Sequence, residues 1–204
     1  MAIALIDYGA GNLQSVRNAL AAAGGGDVMV TDDPDAVMAA DRIVLPGVGA
    51  FAACMGALSA IDGMVEAMER RVHHGGVPFL GICVGMQLLA DSGVEHGTHP
   101  GLGWIGGTVR RIETANPAVK VPHMGWNDVA PAAWHGLIEA GEAYFLHSYH
   151  FDVVDEANIA ARTHHGSSLV AAVARDNVIG VQFHPEKSQA YGLAFLRRFL
   201  AWKP

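Results

Sequence analysis

The sequence predicts an α/β fold: a doubly wound, mostly parallel sheet flanked by helices, with an antiparallel β extension in the C-terminal half. Two observations lead there. In the first part of the chain, short apolar runs bounded by Gly or Pro alternate with stretches whose apolar residues recur at helical spacing, as strand–helix–strand units require. Later, strand-like runs follow one another with few helices between. A chain of 204 residues, 51% of them hydrophobic, can bury one sizeable core, so a single domain over 1–204 is expected.

Residues 2–6 read as the first strand, since the run lacks a basic flank and meets Asp7 too soon for a signal peptide. A helix is expected over 12–23, strands over 28–30 and 42–45, and a long helical region over 50–72. Pro78 opens a buried strand over 79–82, followed by a helix in which Met86, Leu88, Leu89 and Ala90 recur at helical spacing. Gly9-Ala10-Gly11 sits where a dinucleotide loop would, but Gln14 holds the third glycine position, so a tight turn and no cofactor is expected. Residues 43–61 are uncharged, yet Pro46, Gly47, Gly49 and Gly56 interrupt them, which argues against a membrane span. Later strands are expected over 107–112, 144–149, 169–173 and 178–183, before a closing helix over 190–201.

The chemistry gathers at two segments. Gly81-Ile82-Cys83-Val84-Gly85-Met86-Gln87 puts a cysteine at the junction of an apolar strand and a helix, and the glycines at 81 and 85 allow the sharp reversal of a nucleophile elbow. Backbone N–H groups and the helix dipole favour a thiolate there. Far downstream, Phe183-His184-Pro185-Glu186 supplies a base and a carboxylate, and in an extended segment residues two apart share one side. Cys83, His184 and Glu186 compose a candidate catalytic triad, His184 moving the proton and Glu186 fixing its tautomer. Alone, Cys83 reads as a small core residue and His184 as a strand cap; together the two motifs read as chemistry. Pro46-Gly47-Val48-Gly49 leaves a neighbouring parallel strand at the sheet edge where such folds place their sites, and its glycines free backbone N–H groups for an oxyanion hole.

Other features read blandly. His73-His74 and His164-His165 are expected as solvated loop histidines, because adjacent side chains diverge and no acidic or cysteine ligand lies near, so no metal is expected. Cys54, among Phe51, Ala53, Met55 and Leu58, reads as core packing. Two cysteines cannot form a disulfide framework, which fits a reducing, cytoplasmic setting. A net charge of −7 argues against nucleic acid and anionic membrane as partners.

Taken together, these motifs resemble those of the class I glutamine amidotransferases and, within them, the glutaminase subunits of imidazole glycerol phosphate synthase. The family pattern lies in residues 81–87 and in His184-Pro185-Glu186. The subfamily pattern lies in Pro46-Gly47-Val48-Gly49, Pro122-His123-Met124-Gly125-Trp126-Asn127 and His184-Pro185-Glu186-Lys187-Ser188, and the likeness runs from Ile3 to Leu200. It implies the class I glutamine amidotransferase fold and hydrolysis of L-glutamine through a γ-glutamyl thioester on Cys83. It also implies delivery of ammonia, within a heterodimer, to a (β/α)8-barrel cyclase subunit that makes imidazole glycerol phosphate and an aminoimidazole carboxamide ribotide in histidine biosynthesis. The resemblance puts the oxyanion at the backbone of Gly49 and Val84, and glutamine against Gln87, Glu95, His147, Ser148 and Tyr149. It puts the cyclase against Pro122, Met124, Trp126, Asn127 and Lys187. The alternatives are a glutaminase serving another acceptor, a non-catalytic subunit and a stand-alone cysteine hydrolase; for residues 122–127, the alternative to a partner face is a buried core strand.

Overall fold

The structure is a computed structural model that describes residues 1–114, 116–132 and 136–204. In chain order the elements are β1 (Ala2–Ile6), α1 (Leu13–Ala22), β2 (Asp27–Thr31), α2 (Pro34–Ala39), β3 (Arg42–Gly47), α3 (Phe51–Ser59), α4 (Met64–Glu69), β4 (Phe79–Cys83) and α5 (Val84–Gln87). There follow β5 (Ser92–Gly93), β6 (His99–Pro100), β7 (Gly107–Arg111), β8 (His123–Pro131), β9 (Gly141–His147), β10 (Tyr149–Val153), β11 (Ile159–His164), β12 (Ser168–Arg175), β13 (Val178–Val181) and α6 (Gln189–Ala201).

Among the described residues the main sheet has nine strands in the order β2-β1-β3-β4-β13-β12-β11-β8-β9. The first five run parallel and the remainder antiparallel, as the sequence predicts. Strands β3 and β4 are buried at every residue, because helices cover both faces of a parallel sheet and each strand can then be apolar throughout. In register, Gly47 of β3 lies beside Cys83 of β4, and Val181 of β13 beside Ile82, so the ends of three strands meet at one edge.

Several expected elements take another form. The expected long helix over 50–72 is two helices bent by 91°, because Gly63 adopts a left-handed φ of 75° and begins a new helix at Met64. That helix continues into a π-helical turn, Arg70–His74. The expected helix after Cys83 is a single turn, so the helix-dipole contribution at Cys83 is smaller than expected. The strand expected over 144–149 is two, β9 in the main sheet and β10 in a second, four-stranded sheet ordered β10-β7-β5-β6, which also takes the run at 107–112. Not expected from the sequence are α2, although Asp33 caps it and Pro34 opens it, and β11, whose alanines signal a strand weakly. Residues 122–127 do not form a buried strand: β8 runs there with Met124 64% and Trp126 47% exposed.

Arg42, at the other end of β3, closes the fold. Its guanidinium is buried and donates to the carbonyls of Leu200 at 2.7 Å and Trp202 at 2.7 Å, groups at the C-terminus of α6 that lack helical partners. Arg42→Met leaves those acceptors without their charged donor. The expected loss is about 1–3 kcal/mol of stability, read as a lower denaturant midpoint, with the slope unchanged.

Candidate active site

Cys83 ends β4 in a conformation that side chains rarely adopt, φ 54° and ψ −110°. The chain tolerates it because its glycine neighbours have no room for anything else. A Cβ on Gly81 would strike the backbone at Gly85, and one on Gly85 would strike the carbonyl of Leu45 on β3. The turn is thus held against the neighbouring strand, at a strain of about 1–3 kcal/mol typical of functional sites. Cys83 lines a cleft of about 170 Å³ together with Val48, Gly49, Val84, Gln87, Glu95, Leu146, His147, Ser148, Tyr149, His184 and Lys187. All five expected substrate contacts and both expected oxyanion residues lie in that wall.

His184 follows β13 and is fixed by its backbone. Its N–H donates to the Tyr144 carbonyl at 2.9 Å, and its carbonyl accepts the Ser188 hydroxyl at 2.7 Å. Residues 185–187 form a 3-10 turn rather than the extended segment expected, since Pro185 starts a helical turn readily. The turn still folds Glu186 back, and its Oε1 meets His184 Nδ1 at 2.8 Å with both side chains buried. Burial opposes charge on His184, but its hydrogen bonds and attraction to Cys83 and Glu186 outweigh that and push its pKa up to about 9. The arrangement therefore suits a protonated imidazole beside Cys83 Sγ.

Gln182, a site residue not expected from the sequence, is fully buried and bridges the site. Its Nε2 donates to Cys83 Sγ at 3.6 Å, and its Oε1 accepts from Gln87 Nε2 at 2.9 Å. Gln87 Nε2 also donates to the Tyr149 carbonyl at 3.0 Å, so both of its hydrogens are committed and only Oε1 can meet a ligand. A polar residue inside the apolar run 178–183 was the available signal. Glu95 Oε2 accepts the Phe51 N–H at 2.9 Å, serving as the N-cap that α3 lacks from its own side chains.

Behind the cleft runs a chain of neutral histidines. The Tyr149 carbonyl can only accept, so His147 Nδ1, 2.8 Å away, carries a proton, and its Nε2 must accept from His123 Nδ1 at 2.9 Å. His123 Nε2 then accepts from Asn127 Nδ2 at 2.9 Å, which also donates to the His164 carbonyl. Burial lowers the pKa of His123 to about 4 and that of His147 to about 3. Asn127, expected at a partner face, is thus turned inward. His165 stacks on His123 at 4.2 Å and donates to the Lys120 carbonyl, and His73 packs edge-on to Trp104 at 4.6 Å, so neither is a merely solvated loop histidine.

The outward residues of β8 and β9 pair across the ribbon, Met124 with Leu146 and Trp126 with Tyr144. Lys187 Nζ lies 5.8 Å from the Tyr144 ring centroid. Leu146 and Lys187 belong to the cleft wall, so this apolar face continues into the cleft mouth.

The chain is similar to known proteins along nearly its whole length. The family described as "Glutamine amidotransferase class-I" matches residues 4–201. A protein of Zymomonas mobilis named "Imidazole glycerol phosphate synthase subunit HisH" is 61% identical over 99% of this chain and 96% of its own length. One of Rhodospirillum rubrum with the same name is 56% identical over the whole of both chains. A solved "Crystal structure of glutamine amidotransferase" superposes with a TM-score of 0.76 at 19% identity, covering 98% of this chain and 97% of its own.

Below pH 6.5 an unfolded chain takes up protons at His123 and His147 that the folded chain refuses until about 4 and about 3. Stability from this pair is therefore complete above 6.5 and lost as the pH falls towards 4; His184, with a raised pKa, acts with the opposite slope between 6.5 and about 9. Melting temperature measured across pH 7 to 4 is expected to fall, and His147→Gln to flatten that fall.

Proposed function

Since the chain belongs to the class I glutamine amidotransferases, we propose that it is the glutaminase subunit of an imidazole glycerol phosphate synthase, which hydrolyses L-glutamine and hands the ammonia to a cyclase subunit in histidine biosynthesis. One observation carries the reading: His184, paired to buried Glu186 at 2.8 Å, shares a cleft with Cys83 on its elbow. The chain works as one domain, in the cytoplasm, where Cys54 and Cys83 stay reduced.

The Cys83 thiolate attacks the amide carbon of glutamine. Charge moves onto the amide oxygen, where the N–H groups of Gly49 and Val84 donate; Val84 is the first helical residue, so its N–H has no helical acceptor. His184 gives its proton to the leaving nitrogen, the C–N bond breaks, and ammonia departs from a γ-glutamyl thioester. Water attacks the thioester as His184 takes its proton, and the thiolate is expelled from glutamate. Glu95 offers a carboxylate to the substrate ammonium, and Gln87 with residues 147–149 holds the rest.

The proposed partner is a (β/α)8-barrel cyclase docked on Met124 and Trp126, flanked by Pro122 and Lys187. Large apolar residues exposed side by side at a cleft mouth favour a partner that also shields escaping ammonia from water. Asn127 supports this face from within.

Cys83→Ala is expected to abolish glutamine-dependent synthesis in the complex while synthesis from ammonium salts continues, because the nucleophile serves only to release ammonia. His184→Ala should be nearly as damaging, and Glu186→Gln milder, since it orients rather than transfers the proton. Glutamine hydrolysis by the Ala variant of Cys83 would sink the triad. Trp126→Asp should weaken binding to the cyclase by about 2 kcal/mol or more, roughly thirtyfold in Kd, without touching Cys83; titration calorimetry reads it directly.

A further inference from the structure

Beyond Gly47 the chain turns over the cleft through Val48 and Gly49, and two buried side chains hold this turn from the core. The Tyr8 hydroxyl donates to the Pro46 carbonyl at 2.6 Å. The Cys54 thiol donates to the Val48 carbonyl at 3.3 Å. Tyr8 and Cys54 lie side by side, and both are buried.

Core packing explains why Cys54 is buried but not where its thiol points. A hydroxyl or thiol in a first helical turn can bond back to the carbonyl four residues earlier. Here it reaches instead to a carbonyl of the loop over the cleft. The direction of that bond matters, because the C=O and N–H of one trans peptide point to opposite sides. The Val48 carbonyl and the Gly49 N–H belong to one peptide. Val48 and Gly49 line the cleft and Cys54 does not, so a carbonyl drawn to Cys54 is drawn out of the cleft and the Gly49 N–H is turned into it. Gly49 has φ 106°, a conformation only glycine adopts at no steric cost. Burial pushes the Cys54 thiol up, which keeps it protonated and able to donate.

We propose that Cys54, supported by Tyr8, is a positioning residue that holds the Gly49 N–H in place as an oxyanion donor during glutamine hydrolysis. The inference rests on the glutaminase reading above. It adds to that reading a tether for the loop, and it gives the second cysteine of the chain a task.

The test compares the native chain with Cys54→Ala, Cys54→Ser and Tyr8→Phe, each in complex with the cyclase subunit. Two quantities are measured: steady-state glutamine hydrolysis, and the rate at which iodoacetamide alkylates Cys83, followed by peptide mass. Complete loss of one oxyanion donor costs about a hundred- to a thousandfold; here the donor remains but is untethered, so Cys54→Ala should lower kcat by roughly three- to thirtyfold. KM should stay within about twofold of native, since ground-state binding is untouched. Cys54→Ser keeps a donor and should recover most of the loss, and Tyr8→Phe should show a smaller loss of the same kind. Alkylation of Cys83 should be unchanged in all, because it needs the thiolate and His184 but no oxyanion hole. The proposal is overturned if Cys54→Ala keeps native kcat, if Cys54→Ser is as slow as Cys54→Ala, or if alkylation slows in parallel with kcat. A native complex that hydrolyses no glutamine would reject the glutaminase reading itself and this inference with it.

Discussion

At Gly85 a side chain would collide with the Leu45 carbonyl, and at Gly81 with the backbone of Gly85, so β3, β4 and the first turn of α5 can touch only as bare backbone. That contact fixes the distance between two chain segments with separate chemical tasks. It sets Gly47 beside Cys83 and leaves Val48 and Gly49 in the wall of the cleft that Cys83 lines. The strained φ of Cys83 follows from the same contact, since the turn cannot relax without driving into β3. On the other flank, β13 continues past Val181 to place Gln182 under the sulfur and His184 beside it. The parallel register thus converts a packing constraint into the relative placement of nucleophile, oxyanion loop and base.

Burial then acts on three histidines with opposite results. His184, His123 and His147 all lose water, which alone would make each harder to protonate. His184 faces a carboxylate and a thiol and is driven up. His123 and His147 face an amide, a carbonyl and each other, and are driven down. The partners, not the depth, decide the charge state, and the two outcomes suit different work: a proton carrier at the sulfur, and a neutral hydrogen-bonded strut behind the substrate strand.

What could be read in the sequence was what depends on neighbours along the chain. The elbow needs Gly81, Cys83 and Gly85 within one turn, and His184 meets Glu186 across one proline, so both were legible, even though the second lies in a 3-10 turn and not a strand. Gln182 looked like any polar residue in a strand, because its partners Gln87 and Cys83 are close only after β4 and β13 pair. The second sheet was hidden for the same reason: nothing local distinguishes 107–111 from the strands of the main sheet. The break in the helical region 50–72 turned on a single backbone angle at Gly63, a residue that is equally compatible with an unbroken, weakened helix.

Strand β8 shows how one short segment can serve both the cleft and a partner. Its even residues, Met124 and Trp126, point outward, while His123 and Asn127 point inward to the hydrogen-bonded histidines. Side chains on alternate faces of a strand share one backbone, so a partner that presses on Met124 and Trp126 moves His123 as well. His123 is bonded to His147, His147 to the Tyr149 carbonyl, and that carbonyl to Gln87 beside the nucleophile. Each link has a single allowed hydrogen-bond direction, which makes the path stiff. On the proposed reading, a partner docked at the outer face would bear on residues 147–149 through these three hydrogen bonds.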